Sequence, residues 1–392
     1  MLNFNFYSPT EFEFGKDTQF EVGRLLKKHG ATKVLVHYGG GSIKRSGLYD
    51  EVIKVLNDEN IYYVELGGVV PNPRDTLVYK GIKLVRKEQV DFILAIGGGS
   101  VIDSAKAIAM GALYEGDFWN LYDGTKATKA LPVGVILTIP AAGSEASNST
   151  VITKVDKGLK RGTNSDLVRP KFAIINPELH YTIPKYHTFA GIVDMMSHIF
   201  ERYLTNTKNV ELTDLMCEAV LVAIINSARV ILKEPNNYEA RANIAWASTI
   251  AHNGILGVGR QGDWASHRME HELSALYDVS HGAGLAVVFP NYMRYTLDHD
   301  VDRYYRLAVN VFGITKGSDK KEIAKKGIDK LTKFYQEIGM PTTFNEIGAS
   351  EKDIPILLKQ LKINVGSSFG SFVKLTMEDA KNIYKMCLLT HI

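Results

Sequence analysis

Cysteine is nearly absent: Cys217 and Cys387 are the only two in 392 residues. They lie far apart in helical-looking segments and make no CxxC pair or disulfide framework, so they read as buried apolar thiols in a reducing, cytoplasmic setting. An excess of one charge sign is missing too. The 46 basic and 43 acidic residues are dispersed and leave a net charge of +3, which gives no nucleic-acid or membrane footprint. No run of 18 apolar residues stands out, so no bilayer-spanning helix is expected. Residues 1–14 lack a basic start and a continuous apolar run, which argues against a signal peptide. There is no internal repeat and no low-complexity linker. What is present is the profile of a globular protein, 45% hydrophobic and 23% charged, too long for one ordinary core.

The two halves follow different patterns. Apolar, β-branched runs at 34–38, 61–66, 91–96, 133–139 and 171–175 alternate with helical segments. That alternation predicts a parallel sheet with covering helices. After Pro184 the helical period dominates, at 188–204, 210–233, 238–256 and 262–277 and in several later segments, with no strand in evidence. The fold class is therefore α/β plus all-α, with a nucleotide-binding α/β domain over 1–182 and a helical domain over 183–392. Phe4, Phe6, Phe12 and Phe14 alternate with other residues and predict extended edge strands. Such an edge either completes the sheet or pairs with a second subunit, and a homodimer is expected.

Glycine-rich turns follow three of the strands. Gly97-Gly98-Gly99-Ser100 ends one strand and opens a helix over 100–113, where free N–H groups and the positive helix end suit a pyrophosphate. The bland alternative is Ser100 as a helix N-cap with Asp103 three residues on, in the manner of a capping box. Gly39-Gly40-Gly41-Ser42 stands where the adenosine ribose of a dinucleotide usually lies, and Ala141-Ala142-Gly143-Ser144-Glu145 follows a third strand. One such turn is commonplace. Three at the carboxyl ends of parallel strands point to a nucleotide crevice.

Asp194 and His198, four apart, stack on one helix face off the apolar stripe of Phe189, Val193, Met196 and Phe200. Alone they would read as a solvated polar face. A second helix carries Trp264, His267 and His271 on one side, and His281 follows just before Gly282-Ala283-Gly284. Asp194, His198, His267 and His281 supply one carboxylate and three imidazoles, a set suited to Fe²⁺ or Zn²⁺ and ill-suited to Mg²⁺ or Ca²⁺. His180, His187 and His252 fall in no pattern and read as structural. A metal beside a nucleotide would act as Lewis acid on a substrate oxygen, so that hydride passes between the carbinol carbon and a nicotinamide. His271 is placed to relay the proton.

Taken together, Tyr38-Gly39-Gly40-Gly41-Ser42-Ile43-Lys44, the GVVPNP segment at 68–73, Gly97-Gly98-Gly99-Ser100-x-x-Asp103, Asp194-x-x-x-His198 and His267-x-x-x-His271-Glu272-Leu273 leading to His281-Gly282 resemble the iron-containing (group III) alcohol dehydrogenase family, in its butanol-dehydrogenase and broad aldehyde-reductase branch. The resemblance covers essentially the whole chain. It implies the dehydroquinate-synthase-like fold, with metal ligation by Asp194, His198, His267 and His281. It implies cofactor contacts from Gly40, Ser42, Asn72, Gly98, Gly99, Ser100, Asp103, Thr138 and Lys160. His271 and Asp103 are the catalytic candidates. The chain departs from the family at Ala142, where a threonine is common; compensation would fall to Ser144 or Ser147, and Ser147 joins the cofactor set.

The expected substrate is a small primary alcohol or aldehyde such as butanol or butanal. The rivals are a zinc polyol dehydrogenase of the same architecture, a metallohydrolase with the same ligands, and a nucleotide sensor with a structural metal. The turn after Tyr38 offers no carboxylate, and Lys44 and Arg45 follow at once, so NADP(H) is expected over NAD(H). If both cations point away into water, that preference disappears.

Overall fold

The computed structural model describes residues 1–390 and forms two compact units, one over Tyr7–Ile183 and one joining Met1–Phe6 to the chain from Pro184 onward. The first six residues thus belong with the helices and not with the α/β part. Leu2 donates its N–H to the Gly259 carbonyl at 2.8 Å.

In the α/β unit, β1 (Glu11–Phe14), β2 (Lys33–Gly39), β3 (Tyr62–Val69), β4 (Phe92–Gly98), β5 (Val133–Ile139) and β8 (Phe172–Ile175) form one parallel sheet in the order β1-β8-β5-β4-β2-β3. The central strands are apolar because they are covered on both faces: every residue of β4 is buried. Helices α1 (Val22–Lys28), α2 (Ser42–Arg45), α3 (Leu48–Asp58), α4 (Asp75–Glu88) and α5 (Gly99–Leu113) connect the strands. The chain runs outward from β2 to β3 and then returns to place β4 on the other side of β2. This reversal is a topological switch point, where open α/β sheets bind ligands beyond the carboxyl ends of their strands. Both adjoining strands end there in the glycine turns, Gly39–Gly41 and Gly97–Gly99.

Two features in the first half of the chain differ from expectation. Only β1 forms a strand in the first fourteen residues; Phe4 and Phe6 lie outside any strand. An unforeseen hairpin, β6 (Ser149–Lys154) and β7 (Leu159–Asn164), pairs antiparallel apart from the main sheet. Polar threonines and lysines dominate it, so it carries little apolar signal.

The helical unit contains α6 (Lys185–Tyr203), α7 (Glu211–Lys233), α8 (Tyr238–His252), α9 (Ala265–Tyr277), α10 (His281–Thr296), α11 (Val301–Asn310), α12 (Lys320–Glu337), α13 (Ile354–Val365) and α14 (Met377–Met386). Helix α6 is its axis, buried without a break from Thr188 to Tyr203 and packed by α7, α8 and α10. The polar face expected around Asp194 and His198 is therefore enclosed by neighbouring helices and not solvated. Helix α7 is long and apolar enough, by length and composition, to cross a membrane, a run the sequence reading did not single out. Its Cys217, Leu221, Ile224 and Ala228 are buried, in contact with α6 and α8. A two-residue ladder, β9 (Ser368–Phe369) with β10 (Leu375–Thr376), corrects the expectation of a strand-free second half.

Candidate metal centre and nucleotide turns

Helices α6, α9 and the first residue of α10 converge in the helical unit. One ligand atom each from Asp194, His267 and His281 lies within 4.8 Å of the others. His198 is adjacent to this group and not part of its tightest cluster. Its ring centroid is 4.6 Å from that of His267, and its Nδ1 is 3.0 Å from the Asp194 carbonyl oxygen and 3.1 Å from Asp194 Oδ1.

The imidazoles are oriented through their Nδ1 atoms. His267 Nδ1 is 2.7 Å from Glu201 Oε1, His281 Nδ1 meets Glu270 Oε2, and His198 Nδ1 meets the Asp194 carbonyl. An oxygen acceptor requires a proton on Nδ1 and leaves Nε2 with its lone pair, the form that binds a metal. One buried atom shows the consequence: among the described residues His267 Nε2 has no hydrogen-bond partner. Buried polar atoms are rarely left so, and a lone-pair nitrogen clustered with the Asp194 carboxylate and His281 fits a divalent cation. Burial drives the His267 pKa well below its ordinary value, keeping the ring neutral. Burial alone would raise the Asp194 carboxyl, but His281 and His198 beside it hold it down at about 2.

Glu201 and Glu270 were missed in the sequence. Glu201 is fully buried and accepts from Trp264 N at 2.6 Å, His267 N at 3.0 Å and His267 Nδ1. It therefore fixes the start of α9 as well as the ring. Its signal was present, since Asp194, His198 and Glu201 fall at i, i+4 and i+7 on one helix face. Glu270 is likewise fully buried and also accepts from Ser274 Oγ. One ligand atom each from Glu270, His271 and His281 also lies within 4.8 Å of the others. We read this group as an outer layer of the same centre, because Glu270 already engages His281 at Nδ1. His271 is partly exposed, with its ring centroid 5.5 Å from that of His281. The glycines after His281 are steric necessities. A Cβ on Gly282 would lie 1.8 Å from the Ala190 carbonyl oxygen of α6, and one on Gly284 would lie 2.4 Å from Glu270 Oε1.

In the α/β unit, Gly40 and Gly99 are open: a Cβ on Gly40 would meet nothing within 4 Å, and one on Gly99 only the Ala142 Cβ at 4.0 Å. Neither has positive φ, so packing within the chain does not demand glycine there, and the space suits a ligand. Gly98 is different, since its Cβ would strike Ile139 at 2.8 Å. Helix α5 begins at Gly99 with Gly98 as N-cap and no side-chain cap, which removes the alternative of Ser100 as the cap. Asp103 faces inward: Ser144 Oγ donates to Oδ1 at 2.6 Å and Val151 N to Oδ2 at 2.9 Å. One turn on, buried Lys106 donates to the carbonyls of Ser144, Ser147 and Ser149 at 2.7 to 2.9 Å. Burial lowers its pKa to about 8. Ser147 is buried in this network. Lys160 on β7 donates to Asn72 Oδ1 at 3.0 Å, both side chains buried, and Thr138 lies partly buried near the end of β5.

Lys44 is exposed but not unpaired. Its Nζ is 3.5 Å from Glu65 Oε2 and lies over the rings of Tyr49, 4.3 Å, and Tyr38, 5.1 Å from the centroids. This weakens the reason given above for NADP(H).

A buried carboxylate-and-imidazole centre, together with a parallel sheet whose glycine turns flank its switch point, defines a metal-dependent dehydrogenase class. The comparisons narrow it. Residues 9–177 match the description "iron-containing alcohol dehydrogenase", and residues 188–388 match "Fe-containing alcohol dehydrogenase family, C-terminal". The chain is 45% identical over 391 residues to the probable NADH-dependent butanol dehydrogenase 2 of Bacillus subtilis, covering 99% of this chain and 100% of that one. It is 36% identical to the NADPH-dependent aldehyde reductase YqhD of Escherichia coli, covering 98% and 99%. The crystal structure of NADH-dependent butanol dehydrogenase A from Thermotoga maritima superposes with a TM-score of 0.97 at 40% identity, covering 99% of both chains. The chain belongs to the iron-containing alcohol dehydrogenase family, in its butanol-dehydrogenase and aldehyde-reductase branch. It is an enzyme, an NAD(P)(H)-linked alcohol dehydrogenase or aldehyde reductase that uses a metal.

Proposed function

We propose that this enzyme interconverts a small primary alcohol and its aldehyde, of the size of butanol and butanal, with Asp194, His198, His267 and His281 holding iron. Zinc is the alternative ion, because the donor set serves both. The observation that carries this reading is the buried His267 Nε2, without a hydrogen-bond partner among the described residues and clustered with Asp194 and His281, where the imidazoles of His267 and His281 are already tethered at Nδ1. When bound, the metal supplies Lewis acidity at the substrate oxygen and the nicotinamide gives or takes the hydride.

The chain's own residues do the rest. Glu201 and Glu270 hold the rings of His267 and His281 in register and keep Nδ1 protonated. His271, partly exposed on the same helix as His267, exchanges a proton with solvent through one imidazole nitrogen. The unit over Tyr7–Ile183 serves as the dinucleotide-binding domain, and the helical unit, which takes in Met1–Phe6, as the metal-binding domain. Gly40, Ser42, Gly98, Gly99 and Ser100 receive the phosphates and ribose, and Asn72, Thr138, Ser147 and Lys160 complete the contacts. Asp103, whose carboxylate oxygens are both engaged, positions the Ser144 turn and takes no part in the chemistry. Relatives named NADH-dependent share 42 to 45% identity, against 36% for the NADPH-dependent reductase. That ordering favours NADH, against the preference expected from Lys44 and Arg45. A cytoplasmic homodimer is proposed.

The test is metal analysis of His267→Ala and His281→Ala after anaerobic purification. Each variant is expected to stay folded by circular dichroism, lose stoichiometric metal and lose turnover. Full metal and normal turnover in either one overturns the ligand set.

A further inference from the structure

The dinucleotide rule places an acidic residue at the end of the second strand, where it binds a ribose 2′-hydroxyl and repels a 2′-phosphate. No carboxylate stands in the Gly39–Ser42 turn after Tyr38, and Lys44 and Arg45 make its far side cationic. The fold brings a carboxylate from the neighbouring strand. Glu65 of β3 accepts from Tyr38 Oη at 3.0 Å, from Tyr49 Oη, and stands 3.5 Å from Lys44 Nζ. The arrangement draws on β2, α2, α3 and β3. Gly67 leaves the room it needs, because a Cβ there would strike the Tyr38 ring at 2.5 Å. Lys44, the first cation after the Gly39–Ser42 turn, is thus charge-matched and bracketed by two aromatic rings.

We propose that Glu65, anchored by Tyr38 and Tyr49, sets a preference for NADH over NADPH by holding Lys44 away from the 2′-phosphate. The inference rests on the reading of the Gly39–Ser42 turn as the adenosine-ribose site. A phosphate there would have to take Lys44 from a carboxylate that two phenol groups also support, and Glu65 itself would repel it. The ribose 2′-hydroxyl of NADH meets no such penalty. Arg45 is the other cation of α2, and its guanidinium approaches Gly41; it is the competing determinant that the test must separate.

The experiment titrates the metal-loaded protein, without alcohol or aldehyde, with NADH and with NADPH, following nicotinamide fluorescence, so that binding is read without turnover. Wild type is expected to bind NADH more tightly. Glu65→Gln frees Lys44 and should move the NADPH-to-NADH affinity ratio toward NADPH by about tenfold, the ratio that one charge-assisted hydrogen bond carries. The gain should shrink as salt rises and disappear in Glu65→Gln with Lys44→Gln. Tyr49→Phe keeps the ring but loses one anchor, so it should shift the ratio in the same direction by less, which covers the case of a misfolded Glu65 variant. An unchanged ratio in both variants overturns the proposal. So does a wild type that prefers NADPH, or a Glu65→Gln gain that survives Lys44→Gln and vanishes with Arg45→Gln. Failure of folded wild type to bind either dinucleotide would defeat the nucleotide-site reading itself, and this inference with it.

Discussion

His267 and His281 are each held at Nδ1 by a fully buried glutamate, and this pairing decides what single substitutions should do. Glu270 receives protons from His281 and Ser274, so Glu270→Gln would turn an amide N–H₂ toward one of two donors and loosen the ring. Outer partners of metal-bound histidines typically carry 10- to 100-fold in metal affinity, and roughly that loss is expected, with the fold intact, by competition against a metal-sensitive chelator. Glu201 accepts three N–H groups, two of them from the backbone at the start of α9. Glu201→Gln should therefore also reduce stability, by roughly 1–3 kcal/mol for a buried donor left facing a donor, seen as a lower urea midpoint. His271 should behave differently. His271→Ala is expected to retain metal near the wild-type level while turnover falls and its pH profile changes; metal loss equal to that of His267→Ala would make it a ligand. The ligand candidates were legible because imidazoles and a carboxylate at helical spacing are few and chemically distinctive. Glu201 shares the helix face of Asp194 and His198, but spacing does not reveal that it acts on His267 of another helix, and nothing in the spacing pairs Glu270 with His281 eleven positions on.

At the scale of elements, β2 joins the fold's switch point to a titratable group. His37 in β2 is fully buried, with Nδ1 on the Leu66 carbonyl at 2.7 Å and Nε2 on Ser104 Oγ at 2.8 Å. Burial lowers its pKa from 6.5 to about 4. Between these values the unfolded chain binds a proton that the folded chain refuses, so the unfolded state is favoured as pH falls. The associated stability is complete above pH 6.5 and is lost as pH drops toward about 4, amounting to roughly 3 kcal/mol. Urea midpoints from pH 7 to 4 should show this slope in wild type and a shallower one in His37→Gln. Equal slopes would mean that His37 titrates normally. The strands themselves were legible: β5 occupies 133–139 as read, and β4 and β8 start one residue later than read. Their apolar, β-branched runs admit few alternatives between glycine punctuation. The β6–β7 hairpin was not legible, because its pairing with the loop after β3, where Thr153 N donates to the Pro73 carbonyl at 2.8 Å, compensates for an apolar face it lacks. Spacing also placed Lys44 and Arg45 together without showing that Glu65 of another strand claims the first of them.

At the scale of the whole molecule, the first residues pose a problem that one chain leaves unsolved. Met1, Leu2, Phe4, Phe6 and Tyr7 are 42 to 55% exposed, and Phe14 and Phe20 are 39 and 47% exposed. Large apolar side chains exposed on each unit are candidates for association surfaces. Strand β1 gives a separate reason: it lies at the edge of the sheet, next to β8, and the edge of a sheet is a template for another chain. The segment is not loose, since Met1 donates to the Lys208 carbonyl at 3.1 Å and Leu2 to Gly259, so its aromatic side chains are presented from an anchored backbone. A second copy would cover either surface by the isologous contact that two-fold symmetry favours. Light scattering at micromolar concentration is expected to give about 87 kDa, twice the 43.5 kDa chain. Replacing Phe4, Phe6 and Tyr7 together by serine should shift the mass toward one chain, with metal content unchanged because none of the three lies among the ligands. A wild-type mass of one chain would remove the dimer, and a dimer that survives the triple substitution would move its interface elsewhere.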